Sequence, residues 1–258
     1  MIDWMPTSLP SPALTALTAV AGLMGGFVRG YSGFGFALAA MPVLTLLLPP
    51  VVAVPAIMLL EFAIGVATIP ERRRDIAGPV LGYLVLGTLL GTPLGLTALA
   101  LAPVEIMRLA VGAVVVVAVL VLWQRPVPVA GLTGPAPLAV AGFVSGLLNG
   151  GTAMSGPPVI IALLGSALPV QATRATLMAF IAASAALGIS LAVASGLYTP
   201  ETFVTTLIMV PCAAIGAWVG SAVFAATADA HYRPASLSIL FSVACVAVVG
   251  ACWRLLQS

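Results

Sequence analysis

The sequence predicts an all-α integral membrane protein made of two inverted-topology repeats, and three observations carry that expectation. The first is composition: of 258 residues, 62% are apolar and only 6% charged, against about 25% charged in an ordinary soluble domain. The second is the clustering of those charges, which leaves uncharged stretches at 4–28, 30–60, 76–104, 126–173, 175–200, 202–228 and 234–253. Each is long enough for the roughly 20 residues that cross a bilayer as a helix. The third is a likeness between the two halves, set out below. A β-barrel is excluded, because its strands alternate polar and apolar residues over about ten-residue segments.

Prolines, glycines and charges divide the apolar runs into elements. In order they fall at 13–29, 34–48, 51–69, 79–101 and 105–123, then at 138–149, 153–168, 172–195, 201–227 and 234–254. A Pro/Gly-rich linker at 125–137 separates a first membrane repeat, 1–124, from a second, 138–258. Segments 34–48 and 153–168 would be roughly 22 Å long as helices, short of the roughly 30 Å hydrocarbon core. They read as broken or re-entrant helices whose ends meet near the midplane. The N-terminus lacks a basic region and carries Asp3, so it does not read as a cleaved signal peptide.

Shifting the chain by 120 positions lays Ala21, Gly22, Gly26 and Gly30 on identical residues, Ser32 on Thr152 and Met58 on Met178. A shift of 125 lays Gly91, Gly95 and Arg108 on Gly216, Gly220 and Arg233. Each repeat crosses the membrane an odd number of times, whether its first pair of segments spans or forms a re-entrant V. The second repeat then enters from the opposite face, as in secondary transporters. Arg72, Arg73, Arg74, Arg125, Arg174 and Arg233 fall on one side, against Arg108 and Arg254 on the other. The positive-inside rule puts the Arg-rich side in the cytoplasm of a cell (inner) membrane and both termini outside.

The segments GFVRGYSGFGF (26–36) and GLLNGGTAMSGPP (146–158) interrupt the apolar runs with glycine, hydroxyl and amide groups. Glycine costs a helix about 1 kcal/mol relative to alanine, so breaks are expected at Gly30–Gly33 and Gly150–Gly151. Irregular backbone at membrane depth is tolerated only where protein or a water-filled cavity satisfies it. Arg29 has 25 uncharged residues before it and 31 between it and the next acid, and burying an arginine deep in a span costs at least about 2.5–3.5 kcal/mol. An anionic ligand, pairing with Glu61, or snorkelling to an interface would each offset that cost. Two short helices starting near Ser32 and Thr152 would direct their N-termini, each carrying about half a positive charge, toward Arg29. The candidate substrate-binding residues are therefore Arg29, Gly30, Tyr31, Ser32 and Gly33 with Asn149, Gly150, Gly151, Thr152 and Ser155. Ser32, Thr152 and Ser155 are read as N-caps, ligand donors or both. Glu61, whose counterpart is Ile181, is read as a structural or charge-balancing partner of Arg29 or as a proton-coupling group.

Other chemistry finds little support. Cys212, Cys245 and Cys252 lie in apolar runs without CxxC spacing, and His231 sits between charged residues in a loop. No cofactor, metal centre or nucleic-acid surface is indicated, and no His, Cys or acid cluster converges at depth as an enzyme would need. The expected partners are a small anion and the lipid bilayer; the sequence is also compatible with a homo-oligomer.

The paired motifs GFVRGYSGFGF and GLLNGGTAMSGPPVI, together with two similar halves joined by a polar linker, resemble the TauE/SafE sulfite exporter family, also called the 4-toluene sulfonate uptake permeases. The resemblance runs through nearly the whole chain and is strongest at 21–60 and 141–180. It implies transport of sulfur-containing anions such as sulfite, sulfoacetate or other sulfonates, usually outward. Relatives that handle thiosulfate rely on cysteines at the break loops, and this chain has none there. A passive anion channel and a sulfonate uptake permease of the same architecture remain as alternatives.

Export of such an anion runs downhill in a cell with a negative interior, by about 2.3 kcal/mol per charge at 100 mV. It therefore needs no coupling ion, which favours a voltage-driven exporter with Glu61 as a charge-balancing group. The orientation has its own test. A reporter fused at Ser258 that is active only outside the cytoplasm should be active, and one inserted in the loop Glu71–Asp75 should be silent. The reverse pattern would overturn the orientation, and finding both reporters on the same face would overturn the inverted repeat.

Overall fold

The computed structural model describes residues 11–123, 134–164, 166 and 168–226. Part of the linker, the tenth segment at 234–254, Asp3, Asp229, His231, Arg233, Cys245, Cys252 and Arg254 lie outside the described residues. Within them the chain is helical and forms no strand. The helices are α1 Pro12–Ser32, α2 Phe36–Leu47, α3 Pro50–Arg72, α4 Gly78–Leu101, α5 Val104–Trp123, α6 Pro135–Thr152, α7 Gly156–Leu164, α8 Val170–Ala194 and α9 Pro200–Ala226. Six of them, α1, α3, α4, α5, α8 and α9, are long and apolar enough to cross a membrane.

Local chemistry sets many of these boundaries. Proline occupies the first turn of α1, α3, α4 and α6, where its missing N–H would have no partner in any case. Ser11 caps α1 by accepting from the Leu14 N–H at 3.3 Å. At its other end α1 stops where Gly33 turns to φ 82°, and the Gly33 N–H closes the helix on the Arg29 carbonyl. The end of α6 repeats this design 120 residues later: Ala153 takes φ 58° and its N–H bonds the Asn149 carbonyl. The starts of α2 and α7, and of α3 and α8, are also 120 residues apart.

The breaks fall about three residues later than the glycines suggest. Helix continues through Gly30 and through Gly150–Gly151, and the chain turns at 33–35 and 153–155. The reason is tertiary. A methyl group at Gly26 or Gly30 would run into the backbone of α9 at Ala213 or Ala217, and one at Gly146 or Gly150 into α4 at Thr88 or Thr92. Close backbone approach between helices replaces what glycine costs in propensity. Gly91 and Gly95 on α4 and Gly216 and Gly220 on α9 return the contact from the other side. The first helix of each half thus packs against the fourth helix of the other.

These contacts also give direction. Gly22, Gly26 and Gly30 meet Met209, Ala213 and Ala217 in rising order, so α1 and α9 run parallel. By the same reading α4 and α6 are parallel. Gly65 faces Ala182 whereas Gly188 faces Met58, so α3 and α8 cross antiparallel. The Ala77 N–H bonds Thr176 Oγ1 at 2.9 Å, setting the Arg73–Asp75 turn beside the start of α8. At the opposite end the Tyr198 hydroxyl donates to the Pro55 carbonyl at 3.3 Å. The polarity is that of a membrane protein: Leu90, Leu207 and Trp218 are 69%, 73% and 74% exposed, while Arg29, Glu61, Asn149 and Ser184 are buried. Apolar side chains outside and polar ones inside fit lipid as the surrounding solvent.

These interfaces generate a stability prediction. Replacing Gly26 or Gly91 with valine should lower stability in detergent by about 1–3 kcal/mol or more through overpacking. Alanine at Gly82 or Gly112, where nothing lies within 4 Å, should be neutral or stabilising. Equal melting temperatures for the two sets would refute the close-approach interfaces.

Candidate functional site

The two breaks meet. Phe34, Gly35 and Ala37 from the first and Ala153, Ser155 and Gly156 from the second line one small cavity, closed on its remaining side by Glu61 of α3 and Ile181 of α8. The N-terminal ends of α2 and α7 therefore converge, one from each half. Glu61 and Ile181 occupy equivalent places 120 residues apart. Glu61 stands halfway along α3, roughly 16 Å from either end of that helix at 1.5 Å per residue.

Arg29 and Glu61 form a buried ion pair, Nη1 to Oε2 at 3.1 Å, with side chains 2% and 7% exposed. The carboxylate also shares the cavity wall with Ala37, in the first turn of α2. It thereby places negative charge at the positive end of the helix dipole. At the far end of α2, Arg108 Nε donates to the Thr45 carbonyl at 2.8 Å. An acid at its start and a base at its end thus hold this short helix, each complementing the dipole. Arg29 Nη2 is buried and finds no hydrogen-bond partner among the described residues. Arg29 does not snorkel to an interface; its charge is met inside the protein.

The second half uses neutral groups at the equivalent positions. Asn149 replaces Arg29 and donates Nδ2 to the Ser184 carbonyl at 2.9 Å, and Ile181 replaces Glu61. The start of α7 is Gly156-Pro157-Pro158. Two of its first three residues lack an N–H, so this helix end offers fewer donors than an ordinary N-terminus.

The other sequence candidates divide into two groups. Ser155 lines the cavity, at the position just before α7. Ser32 and Thr152 cap nothing at the starts of α2 and α7. They are the last residues of α1 and α6 and donate backward to the Val28 and Leu148 carbonyls, each at 2.7 Å. Gly30 and Gly150 face the neighbouring backbones of α9 and α4 rather than the cavity, and Gly151 lies between Gly95 and Met107. Tyr31 is buried, its ring stacked on Phe27 with centroids 6.2 Å apart. Gly33 forms the turn, and against it lies the guanidinium of Arg174, whose Nη2 would stand 3.2 Å from a Cβ at that position. Arg174, which sequence reasoning left on the cytoplasmic side of the chain, is thus drawn into the first break. No linear signal marks it, because α8 packs on α3 and the long Arg174 side chain reaches the break from there.

Among the described residues no group of His, Cys, Asp and Glu is placed to hold a metal. The first turn of α2 and Ser155 line the cavity, and the Arg29 guanidinium, which is not among the lining residues, reaches it through Glu61; these are group types that pair with small anions.

Comparison with known proteins gives one match. The family model described as Sulfite exporter TauE/SafE covers residues 18–247, most of the chain. No curated protein and no solved structure matches.

The ion pair carries a thermodynamic prediction. Arg29→Met or Glu61→Leu alone should cost about 3–5 kcal/mol, because each leaves an uncompensated buried charge, whereas the double variant should recover much of that loss. Additive effects in the double-mutant cycle would show that the two groups are not coupled.

Proposed function

The chain belongs to the TauE/SafE sulfite exporter family of membrane transporters, and from that premise we propose that it carries sulfur-containing anions, such as sulfite, sulfoacetate or other sulfonates, out of the cytoplasm. The observation that carries this reading is Arg29: a guanidinium buried halfway through the helix bundle, beside the point where the N-termini of α2 and α7 converge. A structural ion pair accounts for one arm of that guanidinium. The arm left over, the donors of α2 and the hydroxyl of Ser155 form a cluster suited to an oxyanion. Arg29, Ser155 and the first turn of α2 are the proposed contacts. Gly33 supplies the turn between them, and Asn149 acts as the neutral counterpart on the second half. Gly30, Gly150 and Gly151 let the helices approach, while Ser32, Thr152 and Tyr31 hold the ends of α1 and α6.

Transport follows from an inverted repeat of 1–124 and 138–258 joined at 125–137. Support comes from helix ends that recur at 120 residues, from the antiparallel crossing of the equivalent helices α3 and α8, and from the reciprocal packing of α1 on α9 and α6 on α4. Two such halves rocking about α3 and α8 would open the cavity first to one face and then to the other. The Arg73–Asp75 turn and the start of α8 with Arg174 share one end of the bundle, which supports a single Arg-rich, cytoplasmic face and termini outside.

Flux from proteoliposomes loaded with sulfite, sulfoacetate, methanesulfonate or acetate tests this reading. Sulfur oxyanions should leave faster than acetate. Arg29→Lys should retain part of the flux, weakened about tenfold because it keeps the charge and loses the planar donor fork. Folded Arg29→Ala should be inactive. Undiminished sulfur-anion flux through Arg29→Ala would refute Arg29 as the binding group, and unitary currents would identify a channel.

A further inference from the structure

We infer that the Glu61 carboxylate occupies the substrate's own place, as a built-in anion that the transported anion must displace; this rests on the anion-transport reading above. Three observations lead there. Glu61 occupies the position best suited to an incoming oxyanion, accepting from Arg29 at 3.1 Å and lining the cavity beside Ala37 in the first turn of α2. The free space beside it is about 10 Å³, room for about one water molecule and not for sulfite with its four heavy atoms. The equivalent place on α8 carries Ile181, so Glu61 is an addition to one half and no requirement of the shared scaffold. A carboxylate and a sulfonate are alike in charge and in presenting oxygens to a guanidinium, so one can substitute for the other against the same donors.

The exclusion is electrostatic as well as steric. One guanidinium balances one anion, and two anions side by side at this depth would repel strongly. The charged group facing Glu61 is Arg29 of α1; the cavity walls from α2, α7 and α8 present Ala37, Ser155 and Ile181, none of which titrates. Among the described residues no second base lines the cavity to hold its charge once the seat is taken, the Arg174 guanidinium lying outside the wall against Gly33. Glu61 therefore yields by accepting a proton from water on the side from which the anion enters, and each anion bound takes up one proton. Of the two roles the sequence left open for Glu61, charge balance and proton coupling, this inference joins both in one group.

Binding to the purified full-length protein, measured with sulfite, sulfoacetate and methanesulfonate, tests the inference. Methanesulfonate is the diagnostic probe because its own charge is constant across the pH range used. In the wild type its affinity should rise as pH falls, by roughly tenfold per pH unit while Glu61 is ionised, the slope for one proton taken up. Glu61→Gln keeps an oxygen to accept from Arg29 but removes the competing charge. It should bind at least about tenfold more tightly at neutral pH, with no pH dependence. Glu61→Asp should keep the pH dependence, and Arg29→Gln should lose binding at every pH. If Glu61→Gln matches the wild type in affinity and slope while Arg29→Gln abolishes binding, the displaced-carboxylate idea falls and the transport site stands. If no probe binds either the wild type or Glu61→Gln, both fall. Should Glu61→Gln not fold, a wild-type methanesulfonate affinity that is flat with pH is enough to overturn the inference.

Discussion

A guanidinium inside a membrane-spanning bundle must be neutralised by something, and the partner that Arg29 finds organises the centre of this protein. Glu61 answers it from α3, halfway along that helix, and in doing so also brings negative charge beside Ala37 at the start of α2. One carboxylate therefore ties together α1, α2 and α3. It also bears on a second problem. A short helix that begins inside lipid leaves its first N–H groups without partners, and water is not there to satisfy them. The far end of the same helix is met by Arg108 at the Thr45 carbonyl. Charged side chains from its neighbours meet this short helix at both ends, each of the sign that its dipole favours.

The glycine faces serve this arrangement from the outside. They bring α1 against α9 and α6 against α4 until backbone meets backbone, and each such pair joins one half of the chain to the other. Neither half keeps its first and fourth helices to itself. The breaks at 33–35 and 153–155 are consequently held between helices that belong to both halves, and the cavity they share is assembled rather than intrinsic to either.

Much of this could be read from residue order. The nine helices among the described residues lie close to the segments that charges, prolines and glycines marked out, because lipid-spanning helices need long uncharged runs and little else. The pairing of Arg29 with Glu61 was also within reach, since no other acid lies inside an apolar run. The place of the breaks was not. Gly30 and Gly150 look like interruptions when judged by local propensity, yet they lie inside helices because the backbones of Ala217 and Thr92 press against them. Ser32 and Thr152 were shifted from helix starts to helix ends by the same displacement. Pro157 and Pro158 were visible all along as positions without an N–H. Their effect on α7 became clear only once the start of that helix was fixed. Arg174 shows the opposite limit: nothing near it in sequence points to Gly33.

The two halves share a scaffold but not its central chemistry: Arg29 and Glu61 stand where the second half has Asn149 and Ile181. In a carrier that works by exchanging the shapes of its halves, identical halves would make the inward-open and outward-open forms equal in energy. A charged pair confined to one half lifts that degeneracy, because the shape that keeps Arg29 and Glu61 together is available to α1–α3 alone. In the transport cycle proposed above, the empty protein would therefore have a preferred resting face. An anion taking the carboxylate's place in that cycle would remove the preference as it binds, making loading the event that frees the cycle to turn.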